Sequence, residues 1–448
     1  MNIIEPRVLK GFRDFPPSVE IGRRELIEKI EASFRSFGFA PIDTPALEYA
    51  EILLGKGGGE TEKQVYRFTD NGGRDVALRF DLTVPFARFV AEHRSEITLP
   101  FKRYHIAKVW RGENTQRGRY REFTQCDFDI VGSSSPASDF EILLVMRDTL
   151  KAIGAGGVTI RLNHRGLFNR FLSTLGLLDK SADILRLVDK LAKIGRDAVV
   201  GQLSVIAGDN TEKILQFIEA KGSFEEVLDR LTELSGGTSP DGTSAESGRL
   251  ASLRKYMLQN AADGGAAGGG GADSFILDPS ITRGLDYYTG IVYETFLNDM
   301  PEIGSICSGG RYDNLARLYS KESISGVGSS IGLDRLIAAL EALGKPEPKA
   351  SYARVAVACV KETDAGAYQA LASRFRNVGL ACEVFFTEEK LTKQYMAAEQ
   401  RGIRWLVIPP VENPLQGKLV LRNLTARENS EAVSVEEAVA RLKAALDA

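Results

Sequence analysis

Two segments in the first third of the chain alternate between apolar and polar positions with the period of a β-strand. They cover residues 104–110 and 123–130, and both contain several β-branched or aromatic side chains. Such alternation is typical of strands that bury one face. The residues between them are polar and rich in glycine and arginine, so we predict an antiparallel hairpin with a long loop.

Helical spacing and turn signals predict the elements on either side of this hairpin. Apolar Ile21, Leu26, Ile30 and Phe34 recur among charged residues and predict an amphipathic helix over 19–37. A strand interrupted by prolines follows at 39–47, which favours a sheet edge or an interface. We predict further strands over 65–68, 76–80 and 158–164, and further helices near Pro85 and over 139–153.

The middle of the chain has a different character. From about 166 to 271, stretches rich in leucine and charged residues recur at helical spacing, and the segment ends in a glycine- and alanine-rich run at 264–271. That run is typical of a flexible linker. We therefore predict an inserted helical domain. A helical extension without a function of its own stays an alternative.

The last third contains two further patterns. Small residues at 326–335 predict a strand that passes into a helix over 336–343, and Ser-Gly-Gly at 308–310 predicts a turn. Beyond a linker at 344–349, strands and helices alternate, which predicts a small α/β domain with a largely parallel sheet. Its predicted strands are 355–360, 382–386, 405–408 and 418–422, and its predicted helices are 365–378, 391–402 and one from Val435.

Composition narrows the class of protein. The 448 residues are enough for two or three domains, and a net charge of −3 means that any nucleic-acid binding must use local basic patches. Four scattered cysteines without a CxxC pair predict free thiols in a reducing compartment and no zinc site, and three distant histidines argue against a histidine metal site. We expect a cytoplasmic protein with no signal peptide and no membrane span.

Charge is the unusual property of the predicted hairpin. Four arginines fall within eleven residues beside Glu113 and Glu122: Arg111, Arg117, Arg119 and Arg121. On the second strand, Gln125, Asp127 and Asp129 share one face because residues two apart do so. This set suits a ligand with a phosphate at one end and an ammonium or another donor at the other. A solvated turn with an ordinary wet sheet face is the open alternative.

The same residues resemble the second signature motif of class II aminoacyl-tRNA synthetases, through Arg111-Gly112-Glu113, residues 119–123 and Gln125. The ending at 125–132, Gln-Cys-Asp-Phe-Asp-Ile-Val-Gly, resembles the histidyl branch. The helix and strand that lead to Pro45 resemble the first motif, which forms a homodimer interface in that family. Residues 326–336 resemble the third motif, and Arg335 matches its arginine, which clamps the nucleotide γ-phosphate.

Two more segments resemble signatures of the histidyl branch. They are Arg-Gly-Leu-Asp-Tyr-Tyr at 283–288 and Ser-Gly-Gly-Arg-Tyr-Asp-Asn-Leu at 308–315. Asp81-Leu82-Thr83 matches an acidic-x-Thr segment that holds the α-ammonium of the amino acid in the family. On its own, the Asp81 segment could equally be a plain helix N-cap.

The resemblance implies the architecture of the whole chain. It implies an α+β catalytic domain with an antiparallel class II synthetase sheet, a helical insertion domain and a C-terminal α/β anticodon-binding domain. The implied bounds are 1–165 for the first part of the catalytic domain with motifs 1 and 2, 166–271 for the insertion domain, 272–345 for the second part of the catalytic domain with the histidyl signatures and motif 3, and 350–448 for the anticodon-binding domain.

The resemblance also implies a reaction: ATP-dependent activation of L-histidine to histidyl-adenylate, followed by transfer to the 3′ end of tRNA(His) by a homodimer. Mg²⁺ is expected with ATP and pyrophosphate, with no firmly implied protein ligand and without zinc. The implied catalytic residues are Arg111 and Arg283. The implied histidine-binding residues are Asp81, Thr83, Gln125, Asp129, Arg283, Tyr287 and Tyr288, and the implied ATP-binding residues are Arg111, Glu113, Phe123 and Arg335.

Two other classes of protein share parts of the pattern. A non-catalytic regulatory subunit of ATP phosphoribosyltransferase has this fold, but such subunits generally lack the C-terminal domain and the arginine of the 283–288 signature, and this chain has both. The other class is a synthetase-like RNA-binding or kinase-fused regulator, and no kinase motif occurs in the sequence. The chain departs from bacterial members at 113–116, which lack the usual proline and second arginine, and at Asp81 and Asp129, where glutamate is commoner.

Overall fold

The structure, a computed structural model, describes residues 3–55, 60–188, 191, 195–237, 245–262, 274–281, 288–313, 317, 319, 321–345 and 350–447. The chain divides into two compact units. The first comprises residues 1–13 and 28–345, and the second comprises residues 14–27 and 346–448.

Helices dominate the middle of the chain and alternate with strands elsewhere. The helices are α1 Pro17–Ser36, α2 Ala50–Leu54, α3 Glu60–Gln64, α4 Thr83–Glu92, α5 Pro136–Ala152, α6 Arg165–Thr174, α7 Ser181–Val188, α8 Arg196–Ala207, α9 Thr211–Ile218, α10 Phe224–Leu234, α11 Ala245–Ala262, α12 Leu333–Ala342, α13 Ala365–Arg376, α14 Leu391–Gln400 and α15 Val435–Asp447.

The strands contribute to three sheets. They are β1 Ala40–Pro41, β2 Leu47–Tyr49, β3 Arg67–Thr69, β4 Asp75–Leu78, β5 Phe101–Trp110, β6 Glu122–Val131, β7 Val158–His164, β8 Phe275–Leu277, β9 Ile291–Leu297, β10 Cys307–Tyr312, β11 Gly326–Gly332, β12 Val355–Val357, β13 Cys382–Val384, β14 Trp405–Ile408, β15 Val420–Asn423 and β16 Glu428–Asn429.

The largest sheet belongs to the first unit. Among the described residues its order is β1-β5-β6-β11-β10-β9-β7-β8. The pairs from β5 through β7 are antiparallel, while β1 joins β5 and β8 joins β7 in parallel. The predicted hairpin is therefore present as β5 and β6, and it lies next to β11, the strand of the third motif.

One face of this sheet is covered by helices. Helix α5 packs against β6 and β11, and α12 packs against β6. Phe34 of α1 lies 4.8 Å from Phe128 of β6, measured between ring centroids, and both rings are buried. Burial of such side chains stabilises the unit by about 1.5–3 kcal/mol for each large apolar residue. The C-terminal part of the predicted amphipathic helix thus buries an apolar residue against this sheet.

The insertion-like middle of the chain leaves the sheet after β7 and returns at β8, directly beside β7. Between these strands lie α6 to α11, whose apolar faces are buried together. Phe171 and Phe217 stack with ring centroids 4.5 Å apart, and Phe168 meets Phe217 edge-on at 5.3 Å. The glycine-rich run at 264–271 lies outside the described residues.

The second unit contains the smaller α/β sheet. Its order is β13-β12-β14-β15-β16 among the described residues. Strands β12, β13 and β14 are parallel, while β15 and β16 are antiparallel to their neighbours. The predicted largely parallel sheet is therefore mixed, because β14, β15 and β16 follow one another without intervening helices. Buried Tyr368 and Phe375 of α13 pack into its core.

Two local predictions need correction. The segment 308–310 is not a turn but part of β10, which pairs with β9 on one side and β11 on the other. Tertiary pairing imposes an extended backbone on glycines that favour a turn locally. The helix of the third motif begins at Leu333 rather than at residue 336.

Among the described residues, no helix combines the length and the apolar character needed to cross a membrane.

Candidate active site

A cavity of about 730 Å³ lies in the first unit against strands β6, β9, β10 and β11. Its wall brings together residues that are far apart in the sequence. Eight of the residues predicted from the sequence line it: Asp81, Thr83, Arg111, Glu113, Phe123, Gln125, Tyr288 and Arg335.

Arg111 follows the last residue of β5 and is held in a fixed position. Its Nε donates a hydrogen bond to the Phe80 carbonyl oxygen at 2.8 Å. Its Nη1 lies 3.8 Å from Glu113 Oε1, and its guanidinium carbon lies 5.2 Å from the centre of the Phe123 ring. The structure thus groups the cation, the carboxylate and the aromatic face that the sequence predicted to act together.

Asp81 is buried at the start of α4. Its Oδ1 accepts a hydrogen bond from the Val84 amide at 3.0 Å, whereas its Oδ2 is buried without a hydrogen-bond partner among the described residues. Burial raises the pKa of Asp81 to about 6, against the opposing effects of the Val84 amide, Arg111 and Arg103. Asp81 therefore caps the helix with one oxygen and has a second acceptor to offer a ligand.

Gln125 provides a second acceptor of the same kind. Its Nε2 donates to Ser330 Oγ at 2.9 Å, across the β6–β11 pair, and its Oε1 is buried without a partner among the described residues. An unpaired buried amide oxygen costs roughly 1–3 kcal/mol. A substrate that donates a hydrogen bond there would recover that cost.

Among the predicted site residues that the structure describes, Asp129 is the one that is not part of the cavity wall. Its Oδ1 accepts a hydrogen bond from the Tyr312 hydroxyl at 2.6 Å, and its Oδ2 lies 2.7 Å from Arg103 Nη2. Burial raises the pKa of Asp129, and Arg103 opposes that rise. A side chain at Gly328 would overlap the Asp129 carboxylate, so glycine is required there for this carboxylate to fit.

Arg335 lies in the first turn of α12 because that helix begins at Leu333. Its Nη1 donates to the Ser305 carbonyl oxygen at 2.5 Å. Gly118 of the β5–β6 loop packs against its side chain, since a Cβ at Gly118 would stand 3.3 Å from Arg335 Cγ. The loop between the hairpin strands is thereby brought to the start of this helix.

Arg311 of the 308–315 segment has a structural environment. It is buried, and its Nη2 lies 2.6 Å from Asp139 Oδ1 and 3.0 Å from Ser138 Oγ, both on α5. A further hydrogen bond goes from Nη1 to the Ser133 carbonyl oxygen. These contacts join β10 to the helix that covers the sheet, and they orient the strand that lines the cavity.

Comparison with protein families identifies this arrangement. The family model described as histidyl-tRNA synthetase matches residues 11–336. This chain belongs to the histidyl-tRNA synthetase family. A second model, described as an anticodon binding domain, matches residues 354–445.

Curated relatives agree over nearly the full length. The histidine–tRNA ligase of Treponema denticola is 50% identical over 99% of both chains, and that of Treponema pallidum is 49% identical over 96% of both. These relatives favour a ligase over the regulatory-subunit alternative. The family and the class of enzyme predicted from the sequence are confirmed.

Solved structures support the same fold. A histidyl-tRNA synthetase from a Nostoc species superimposes with a TM-score of 0.83 at 32% identity, covering 98% of this chain and 100% of that one. A protein described as an ATP phosphoribosyltransferase regulatory subunit/histidyl-tRNA synthetase from Bacillus halodurans superimposes with a TM-score of 0.72 at 19% identity, which shows a shared fold alone. The predicted fold class of catalytic sheet, helices and separate C-terminal α/β domain is confirmed.

Two of the residues predicted for this synthetase site, Arg283 and Tyr287, lie outside the described residues. Tyr288, which follows them, lines the cavity. The predicted roles of all the site residues stay predictions. Within the described ranges, no cluster of three or more histidine, cysteine, aspartate or glutamate side chains suits a metal ion.

Sequence reasoning missed several polar residues that organise the synthetase site. Arg103 is fully buried, and its guanidinium carbon lies 4.0 Å from the centre of the Phe86 ring. Asp334 accepts hydrogen bonds from the Thr124 amide at 2.7 Å and from Arg13 at 2.6 Å. The pairing of β5 with β6 could have revealed Arg103, because it places this arginine directly opposite Asp129.

Proposed function

We propose that this synthetase is a histidine–tRNA ligase that activates L-histidine with ATP and then charges tRNA(His). One observation carries the proposal. A single cavity presents guanidinium groups from Arg111 and Arg335 together with two buried acceptors, Asp81 Oδ2 and Gln125 Oε1, that lack partners among the described residues. Phosphates suit the guanidinium groups, and an amino acid's ammonium suits the acceptors.

The acceptors define the amino-acid side of the proposed site. Asp81 and Gln125 would receive hydrogen bonds from the α-ammonium, with Thr83 and Tyr288 on the same wall. An ammonium beside Asp81 would favour the ionised carboxylate and so lower a pKa that burial raises to about 6. Binding of the substrate thus stabilises the charge that burial makes costly.

Asp129 takes a supporting position in this proposal. The sequence resemblance assigns it to histidine binding, and its carboxylate belongs to the buried Arg103 pair behind the cavity wall. Tyr287 and Arg283 complete the predicted histidine set and lie outside the described residues. The imidazole of histidine would be recognised on the side of the pocket nearest Asp129.

The nucleotide side of the proposed site uses Arg111, Glu113, Phe123 and Arg335. Arg111 would hold the α-phosphate, Phe123 would stack on adenine, and Arg335 would pair with the γ-phosphate. Mg²⁺ bound to ATP keeps several waters and needs only one or two protein carboxylates. Glu113 and Glu294 line the cavity and offer suitable oxygens. The ion would neutralise charge on the leaving pyrophosphate.

Activation requires little covalent chemistry from the protein. A carboxylate oxygen of histidine bonds to the α-phosphorus as the bond to the bridging oxygen breaks, and pyrophosphate leaves with that electron pair. The histidine carboxylate is ionised at neutral pH, so no general base is needed. Catalysis would consist of positioning and of stabilising negative charge, by Arg111 and by Arg283 on the opposite side.

The remaining regions would bind tRNA and form the assembly. We propose the division predicted from the sequence, with catalytic parts at 1–165 and 272–345, an insertion domain at 166–271 that holds the acceptor stem, and an anticodon-binding domain at 350–448. The return of the chain at β8 beside β7 supports an insertion. We also propose a cytoplasmic homodimer whose interface includes Pro45 and α1.

Histidine-dependent exchange of pyrophosphate into ATP tests the proposal. The purified protein should exchange label only with histidine present, and it should then attach histidine to tRNA(His) transcripts. Arg111→Ala should lose exchange, whereas Arg161→Ala, which alters an arginine outside the cavity wall, should retain it. Exchange that does not depend on histidine, or no exchange at all by folded protein, would overturn the proposed function.

A further inference from the structure

Ser330 of β11 links two polar side chains of β6. Its Oγ receives a hydrogen bond from Gln125 Nε2 at 2.9 Å, and its side chain stands directly opposite that of Asp127, where a serine hydroxyl that donates to the carboxylate opposes the rise in the pKa of Asp127. The strand register explains the arrangement, since Ser330 stands directly opposite Asp127 and the next-but-one pair joins Gly332 to Gln125. Gln125 and Ser330 line the cavity, whereas Asp127 does not.

A serine hydroxyl has a single proton, and this limits how the three groups can bond. An ionised carboxylate only accepts hydrogen bonds, so Ser330 must donate its proton to Asp127. The serine oxygen is then left as an acceptor, and the side of the Gln125 amide that faces it must be the NH₂. The amide oxygen is consequently directed away from Ser330, and it is the buried atom without a partner among the described residues.

We propose that Asp127, acting through Ser330, is a positioning residue that fixes the orientation of the Gln125 amide and thereby makes this wall of the site accept hydrogen bonds from the amino acid. The inference rests on the proposed function, because the amino acid is the substrate named there. Asp127 does not touch the substrate. Its effect is to determine which of two nearly isosteric amide orientations the substrate meets.

The energetic reason lies in the two orientations of an amide. With Oε1 towards the cavity, Gln125 accepts a hydrogen bond from an ammonium. With the amide reversed, its NH₂ would face the N–H donors of the substrate, and the substrate would lose the bond and gain a repulsive contact. A site built around a hydrogen bond discriminates strongly when that bond cannot form.

The charge state of Asp127 sets the conditions for the experiment. Burial raises the pKa of Asp127 to about 7, so assays belong at about pH 8, where its carboxylate is ionised. Other titratable groups interact electrostatically with Asp127 or stand opposite it in the sheet, and they are unchanged in every variant below. They are Arg79, Asp81, Arg103, His105, Asp129 and Cys307.

Two single variants and their combination test the relay. Asp127→Asn can either donate to Ser330 or accept from it, so it no longer dictates the amide orientation. Ser330→Ala removes the relay without changing any charge. Each should raise the KM for histidine in pyrophosphate exchange by about tenfold, the effect of one lost hydrogen bond, while the KM for ATP stays within about twofold.

The double variant separates a relay from a simple charge effect. If Asp127 acts through Ser330, adding Asp127→Asn to Ser330→Ala should raise the histidine KM by less than about twofold further. If the carboxylate instead attracts the ammonium directly, the two effects multiply, and the relay is wrong. Ser330→Thr keeps the hydroxyl and should restore most of the histidine affinity.

Ser329→Ala is the matched control. It removes a buried serine hydroxyl from the same strand, but residue 329 faces the opposite side of the sheet, where its Oγ donates to the Ser308 carbonyl oxygen at 3.0 Å. Its histidine KM should match that of the unaltered protein.

Failure of the relay is distinguishable from failure of the proposed function. Absence of histidine-dependent exchange in the unaltered protein rejects the function. Normal exchange in that protein, combined with an unchanged histidine KM in Asp127→Asn and Ser330→Ala, rejects the relay alone.

Discussion

Arg103 and Asp129 form a fully buried ion pair, with Nη2 of one 2.7 Å from Oδ2 of the other. They stand directly opposite each other in the β5–β6 register. The Arg103 side chain is 0% exposed and the Asp129 side chain 4%. Because neither charge reaches water, each depends on the other for compensation.

Removing the negative partner should therefore destabilise the first unit. Asp129→Asn keeps the shape of the side chain but leaves the Arg103 cation without its counter-charge, at a cost of about 3–5 kcal/mol. Urea denaturation followed by circular dichroism measures the change. The double variant Arg103→Met/Asp129→Leu removes both charges and should lose less stability than Asp129→Asn. Equal stability of Asp129→Asn and the unaltered protein would contradict a compensating role.

Arg283 should matter for activation more than for transfer. Negative charge grows around the α-phosphorus in the transition state, and loss of one fixed electrostatic partner typically costs about 3–4 kcal/mol, or roughly a hundred- to thousand-fold in rate. Arg283→Ala should lower the rate of pyrophosphate exchange by that factor. The variant should still fold, and its rate of transfer from preformed histidyl-adenylate should stay close to that of the unaltered protein. Arg283→Lys should recover only part of the rate, because a point ammonium lacks the planar fork. Single-turnover activation by Arg283→Ala within about threefold of the unaltered rate would remove the catalytic role.

Arg335 should affect ATP and leave histidine recognition intact. Its guanidinium donates to the Ser305 carbonyl, and the aliphatic part of its side chain packs near Gly118, on the cavity wall. Arg335→Ala should raise the KM for ATP by about tenfold or more, as expected for the loss of a charge-assisted hydrogen bond. The histidine KM at saturating ATP is the internal control. A larger change in the histidine KM than in the ATP KM would contradict the assignment.

Asp127 should make the protein less stable as the pH rises. Burial raises the pKa of Asp127 from 3.8 to about 7. Between those values the folded chain holds a proton that the unfolded chain has lost, so its contribution to stability falls from about pH 4 to about pH 7. Asn cannot ionise, so Asp127→Asn should gain stability relative to the unaltered protein across this window, on the order of 2–4 kcal/mol.

Thermal unfolding at pH 5 and pH 8 measures this difference. His105 and His164, whose pKa values burial lowers to about 4, destabilise the fold as the pH falls below about 6.5. Both histidines are present in the two proteins, so their contribution cancels in the comparison. A stability difference that does not grow between pH 5 and pH 8 would mean that Asp127 titrates near its ordinary pKa.

Assembly provides an independent prediction. A two-fold interface that includes α1 and Pro45 should produce a dimer, since two-fold dimers are the commonest closed assemblies. Sedimentation velocity at micromolar concentration should show a single species of twice the chain mass of 49.0 kDa. A stable monomer that is fully active at that concentration would contradict the proposed interface.

Local patterns were sufficient where the chain's own periodicity matched its tertiary environment. The predicted strand at 158–164 coincides with β7, and the predicted strand at 405–408 coincides with β14. Prediction failed at β10, whose glycines favour a turn until pairing with β9 and β11 extends them. It also placed the start of α12 three residues late, at residue 336 instead of Leu333.

The site residues that the sequence revealed were likewise those whose neighbours in the structure are also near in the sequence. Arg111 and Phe123 belong to a contiguous motif, so the sequence alone could group them. Arg103 was missed because it lies one residue before the predicted strand at 104–110, and its partner Asp129 is 26 positions away in the sequence. Asp334 was missed for a similar reason, since its partners Arg13 and Thr124 come from distant parts of the chain.

The absence of a side chain at Gly328 makes room for the carboxylate of Asp129. The residues tolerated at positions 129 and 328 therefore depend on each other, although 199 positions separate them in the sequence. A library that randomises position 328 while Asp129 is retained should return glycine almost exclusively. The longer glutamate at position 129 would need more space, and position 328 cannot supply it because glycine already has the smallest side chain. Substitution of Asp129 by glutamate would therefore require changes at Arg103 or Tyr312.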